Sequence, residues 1–149
     1  MGTIERNAAR VVLLDGRDRV LLLKWVHANA PERGHWWITP GGGLDPEESY
    51  PSGAARELFE ETGLRLAPDV LQGPIFERDT DTEIDGTRYF QHEVFFLARV
   101  DAHEVDTAGF SELEVRSVVE HRWWTRAELA STGDAVYPDG LAALLDRVA

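Results

Sequence analysis

The chain has 149 residues, 43% of them apolar and 28% charged, which is enough to bury one core and too apolar for wholesale disorder. Its formal net charge of −12 disfavours nucleic acid as a partner, because tracking that backbone takes clustered Lys and Arg. The absence of cysteine excludes disulfides, thiolate metal sites and a cysteine nucleophile.

No apolar run approaches membrane-spanning length, and the start, MGTIERNAAR, lacks the apolar core of a signal peptide. The expectation is one domain over residues 1–149, in the cytoplasm and with no membrane partner. Two apolar runs, Val11 to Leu14 and Val20 to Leu23, flank Asp15-Gly16 and predict a β-hairpin. After a polar loop, HWWITPGGG reads as a short aromatic strand running into three glycines, where backbone bends or closely approaches another group.

A helix follows, over about residues 50 to 62. Ser49 is its N-cap, Pro51 sits in the first turn, and Gly63 stands where a left-handed C-cap belongs. Ala54, Ala55, Leu58, Phe59 and Thr62 fall on one broad face that would pack on a sheet, and Glu57, Glu60 and Glu61 share the neighbouring face. PIFERDT and TRYFQHEVFFLARV read as strands joined through Ile84-Asp85-Gly86-Thr87, and VVEHRWW as another strand. Thr125 caps a short helix through RAELA, and YPDGLAALLDRV reads as a helix with a proline start. Strands on both sides of a central helix, closed by a C-terminal helix, predict a mixed sheet covered on both faces.

The three crowded glutamates admit two readings. In one, Arg56 pairs with Glu60, Glu61 pairs with Arg65, and water solvates the rest. In the other, the carboxylates beside a glycine-rich loop form an oxygen-rich site for Mg²⁺, with Mn²⁺ as a substitute. That cation cancels the charge of a diphosphate and activates a water. The second gains from the loop, whose peptide amides can meet a phosphate oxygen.

From Gly42 to Leu64 the sequence reads GGLDPEESYPSGAARELFEETGL, and this resembles the signature of the Nudix hydrolases. Gly42, Glu48, Arg56, Glu57, Leu58, Glu60, Glu61, Gly63 and Leu64 all stand in its register. The resemblance implies an α+β fold, a Nudix-type α/β/α sandwich with a mixed, largely antiparallel β-sheet. It also implies hydrolysis of a pyrophosphate linkage in a small nucleoside diphosphate derivative, by substitution of water at phosphorus. Glu57, Glu60 and Glu61 would hold Mg²⁺, and one of them would act as base. Arg56 and Glu48 would orient that cluster, and Gly41, Gly42 and Gly43 would face substrate. A further glutamate from outside the motif is expected; Glu120 is ranked first, ahead of Glu114 and Glu112.

Trp36, Trp37, Trp123 and Trp124 invite base stacking, but adjacent strand residues point to opposite faces, so at least one of each pair is expected in the core. Arg78, Arg88 and Lys24 are candidates to meet a phosphate or ribose, and Arg78 joins the glycines as a substrate-binding candidate. Asp81, Glu83, Asp85 and Gly86 begin like a calcium loop, but His92 occupies the twelfth position and a hairpin explains the segment better. No H-E-x-x-H or Gly-x-Ser-x-Gly occurs. The competing function is a catalytically silent nucleotide-sensing module of the same fold. The specific substrate is open, as is the choice between monomer and homodimer.

Overall fold

The computed structural model describes residues 2–84 and 86–148. Among these, eight strands form one mixed sheet: β1 Ile4–Leu14, β2 Val20–Val26, β3 His35–Ile38, β4 Gly41–Gly43, β5 Gln72–Ile84, β6 Thr87–Arg99, β7 Val118–Trp124 and β8 Val136–Tyr137. The helices are α1 Tyr50–Thr62, α2 Glu112–Ser117, α3 Arg126–Ser131 and α4 Leu141–Val148. Strand order is β5-β6-β1-β2-β3-β8, with β4 on β1 and β7 on β2. Only the β1–β6 and β3–β8 pairs are parallel, so the architecture is the expected α+β one.

Period-two alternation along the central strands sorts the core into two layers. Ala9, Val11 and Leu13 of β1, with Val94 and Phe96 of β6, pack against Ala54, Ala55 and Leu58 of α1. Val12 and Leu14, with Phe95 and Leu97, face Leu141, Leu144 and Leu145 of α4 on the other side. Burying both faces of the sheet is what lets a chain of this size hold a three-layer arrangement.

Turn chemistry fixes the β1–β2 register. The Asp15 carboxylate accepts the backbone N–H groups of Arg17 and Arg19, each at 2.9 Å, and closes the expected hairpin with Leu14 opposite Val20. Beyond that point β1 takes another partner: Ala8 to Arg10 pair with Gly43 to Gly41 of β4. This glycine strand carries the chain directly into α1.

Ser49 caps α1, its hydroxyl accepting the Ser52 N–H, and Gly63 ends it in the left-handed region at φ 77°. Phe59 departs from the expected buried face. It is 37% exposed and lies under the Arg65 guanidinium, 4.0 Å from its ring centroid. Glu61 is fully buried instead, so the Glu61–Arg65 pair of the solvated reading does not form and Arg65 covers the aromatic ring. The Arg56–Glu60 pair of that reading does form.

The C-terminal helix begins at Leu141 and not at the proline, because Gly140 adopts φ 76°, outside the helical region. Pro138 follows the short β8 strand. β5 and β6 form the expected hairpin, with Ile84 opposite Thr87; Asp85, half of the predicted turn and part of the calcium-like run, lies outside the described residues. Trp37 and Trp124 are the core members of their pairs and meet edge to face with centroids 5.0 Å apart. No helix among the described residues is long and apolar enough to cross a membrane.

Candidate active site

A cavity of about 770 Å³ opens where β4, α1 and α2 meet the β1–β6 surface. Its size is in the range of small-molecule sites. Glu57, Glu60 and Glu61 reach it from one face of α1, and Gly41, Gly42 and Gly43 form an adjoining wall. Carboxylate oxygens of Glu57, Glu61 and Glu114 lie within 4.8 Å of one another.

Glycine at the start of β4 is a packing requirement. Gly41 has φ 152°, and a Cβ there would lie 2.4 Å from the Ala9 carbonyl oxygen. Its N–H donates to Glu61 Oε1 at 2.7 Å. A Cβ on Gly42 would come within 2.9 Å of the Glu57 carboxyl group, so this residue leaves room for the carboxylate.

Arg56 holds the acidic face from behind. Its Nε and Nη2 donate to the two oxygens of Glu48, each at 2.9 Å, in the forked geometry that suits guanidinium and carboxylate. Nη1 donates to Glu57 and Glu60 at 3.1 Å, and Nη2 also reaches the Gly43 carbonyl at 3.0 Å. Glu48 in turn accepts the Asp45 N–H, which ties the loop to the helix. Hydrogen bonds from Arg56 hold the Glu48 carboxyl below the usual range, and the same contacts push the Arg56 pKa up.

Glu57 and Glu61 behave oppositely. Burial is the main reason the Glu57 carboxyl is pushed up to about 7, with Glu60 and Glu114 adding repulsion that Arg56 partly offsets. Glu61 is raised well above the usual range by burial first, then by its hydrogen bond and repulsion with Glu114. Buried oxygens with a raised proton affinity are what a hard divalent cation relieves, so the donor set fits Mg²⁺ or a similar ion.

The carboxylate contributed from outside the α1 motif is Glu114, on α2. A reciprocal capping box orients it: Ser111 Oγ accepts the Glu114 N–H at 3.2 Å, and Glu114 Oε1 accepts the Ser111 N–H at 2.8 Å. Glu120, ranked ahead of it from sequence, is half exposed on β7, 3.8 Å from Lys24, and does not line the cavity. The Ser-x-x-Glu spacing at Ser111 signals a helix cap only, since Thr125 and Glu128 form the same box outside the cavity.

Arg78 is also placed elsewhere. It donates to the buried Glu93 and lies over the Tyr137 and Phe95 rings, outside the cavity wall. Arg6 and Arg10 of β1 occupy the wall instead. Arg10 bonds Glu93 and the Thr39 carbonyl, and Arg6 lies 5.2 Å over the Tyr89 ring. Trp36 is the wall-lining member of its pair, against His27 at 5.0 Å between centroids, and Trp25 joins them.

Comparison with known proteins matches this arrangement to a family. A model of the NUDIX domain matches residues 5–144. Over 80 residues the chain is 36% identical to diphosphoinositol polyphosphate phosphohydrolase 3-alpha of Mus musculus, covering 54% of this chain and 45% of that protein. The chain thus spans less than half the length of that curated relative. Among solved structures, the MutT protein of Methanosarcina mazei superimposes with TM-score 0.69 at 18% identity, covering 99% of this chain and 94% of that one. A bifunctional NMN adenylyltransferase/ADP ribose pyrophosphatase of Francisella tularensis, complexed with AMP and a manganese ion, gives TM-score 0.58 at 18% identity, covering 96% of this chain and 41% of that one. On the breadth of the family match, the chain belongs to the Nudix family.

Proposed function

We propose that this chain hydrolyses a phosphoanhydride linkage in a small nucleoside diphosphate derivative, with Mg²⁺ as the working cation and Mn²⁺ as a substitute. The observation that carries this reading is the group of three carboxylates, Glu57, Glu61 and Glu114, gathered in one cavity that Arg6 and Arg10 also line. Glu57, Glu61 and Glu114 would hold the ion, with Glu60 beside them. A divalent cation bound there supplies charge for the diphosphate oxygens and lowers the pKa of a water molecule.

The chain's own groups account for the rest. Arg56 fixes the rotamers of Glu57 and Glu60 through paired hydrogen bonds, so little reorganisation is needed when substrate enters. One glutamate of the three-carboxylate group, on an oxygen not taken by the ion, would accept the proton from water. The Gly41 amide is committed to Glu61, and Arg10 to Glu93 and the Thr39 carbonyl, so Arg6, beside Gly43, is the β1 cation left to meet a phosphate. Trp25, Trp36 and His27 offer aromatic surface to a ring.

The test is a panel of diphosphate compounds with the purified protein and Mg²⁺ or Mn²⁺: nucleoside triphosphates, nucleotide sugars, ADP-ribose, dinucleoside polyphosphates and a diphosphoinositol polyphosphate. The reading expects turnover of at least one nucleotide compound with products identified by mass. Tight nucleotide binding with no cleavage of any compound favours the sensing module instead.

A further inference from the structure

Gln91 is 2% exposed, lies on β6 beside its register partner Arg6 of β1, and lines the cavity. Its Nε2 donates to Glu93 Oε2 at 2.8 Å. Glu93 also receives Arg10 and Arg78. Burial pushes the Glu93 carboxyl up, but the two guanidinium groups more than offset this and keep it below the usual range. An ionised carboxylate can only accept, so it fixes the amide with nitrogen toward Glu93 and oxygen away from it. That oxygen, Oε1, is buried and has no hydrogen-bond partner. An acceptor left unpaired in a buried wall is costly unless something donates to it.

Its surroundings restrict the donor. Arg6, the register partner of Gln91, carries positive charge beside it, and Glu93 is already matched by Arg10 and Arg78, so a neutral donor suits the position better than an ammonium. Trp25, Trp36 and His27 of the same cavity offer a face to a ring.

We propose that Gln91 is a specificity-determining residue whose amide oxygen accepts a hydrogen bond from an uncharged N–H or O–H group on the nucleoside part of the substrate. The proposal rests on the nucleotide reading above, but its test does not require turnover. Two sources supply such a donor: an amino or ring N–H of the base, and a hydroxyl of the sugar.

Affinities of the four common ribonucleoside 5′-monophosphates are measured by calorimetry with the intact chain and Mg²⁺. The tightest is then compared with analogues that lack one donor at a time. One arm removes or methylates each base N–H; the other removes the 2′- or 3′-hydroxyl. One deletion is expected to weaken binding about tenfold, because it leaves Oε1 unpaired again, and the arm in which this occurs names the source. In Gln91→Met, which keeps the length and removes the acceptor, the same deletion should cost less than about twofold.

The proposal is overturned if every single deletion in the wild-type chain stays within about twofold, if the penalty survives in Gln91→Met, or if no monophosphate binds at millimolar concentration. The first outcome needs no variant and is immune to misfolding. A small movement that bonds Oε1 to the unpartnered Nε of Arg6 would make Gln91 purely structural; Gln91→Met then lowers the melting temperature and leaves the analogue ratios unchanged. Discrimination without cleavage sinks the hydrolase reading alone, whereas cleavage without discrimination sinks this one alone.

Discussion

Glu61 Oε1 accepts the Gly41 amide N–H at 2.7 Å, and this one bond joins the acidic face of α1 to the strand that pairs with β1. The carboxylate is fully buried, where a negative charge is expensive without a cation nearby. Glu61→Gln keeps the shape and can still accept from Gly41. The metal-free variant is therefore expected to melt at or above the wild-type temperature, while turnover falls by about a hundredfold or more. Thermal unfolding without divalent ions, paired with an activity assay, checks both halves; a variant of unchanged activity rejects the ion-holding role.

The raised carboxyls make metal-free stability depend on pH in a definite direction. Glu57 takes up a proton at about 7 when folded, against an ordinary value of 4.5. Its contribution is fully present below about 4.5 and is lost as pH rises through about 7. The difference at full ionisation is of the order of 3 kcal/mol. Glu61 shifts in the same sense. Comparing melts of wild type and Glu57→Gln without metal isolates the effect from other titrations: the variant should gain on wild type between pH 5 and about 8. Added Mg²⁺ should raise the wild-type melting temperature more at the upper end of that range.

Much of this was legible in the sequence for physical reasons. Asp15-Gly16 set a hairpin because an aspartate can close the turn on two amides, and Ser49 and Gly63 bounded α1 because both carry local capping chemistry. Glu48, Arg56 and the α1 glutamates were readable because one helix turn and one short loop bring them together. Glu114 was harder to rank against Glu120, since which of two glutamates reaches α1 depends on long-range packing. Arg78 had the same difficulty: its partner Glu93 is on another strand, and only the β5–β6 register, with Arg78 opposite Glu93, brings them together. Arg6, Arg10 and Gln91 carried no local signal, because strand residues become cavity wall only once the neighbouring strands are in place.

Arg56 should act by positioning. Its guanidinium contacts Glu48, Glu57, Glu60 and the Gly43 carbonyl together, and a lysine ammonium cannot reproduce that fork. Arg56→Lys is expected to lower kcat by about ten- to a hundredfold with KM changed by less than about threefold, since the group touches the glutamates and not the substrate. Steady-state kinetics provide the check. A change confined to KM would place Arg56 in direct substrate binding.

The choice between Glu114 and Glu120 can be settled by matched substitutions. Glu114 shares the 4.8 Å carboxylate group with Glu57 and Glu61, whereas Glu120 is half exposed beside Lys24. An exposed pair of this kind is worth at most about 1 kcal/mol. Glu120→Gln should therefore leave both Mg²⁺ dependence and turnover within about twofold of wild type. Glu114→Gln keeps an acceptor for the Ser111 amide, so α2 should remain capped, yet it removes one anionic oxygen from the group. Its apparent Mg²⁺ affinity should fall by about ten- to a hundredfold. Titrating Mg²⁺ against turnover and against melting temperature gives two independent readings, and equal losses in the two variants would mean that the neighbourhood of Glu114 is not where the cation is held.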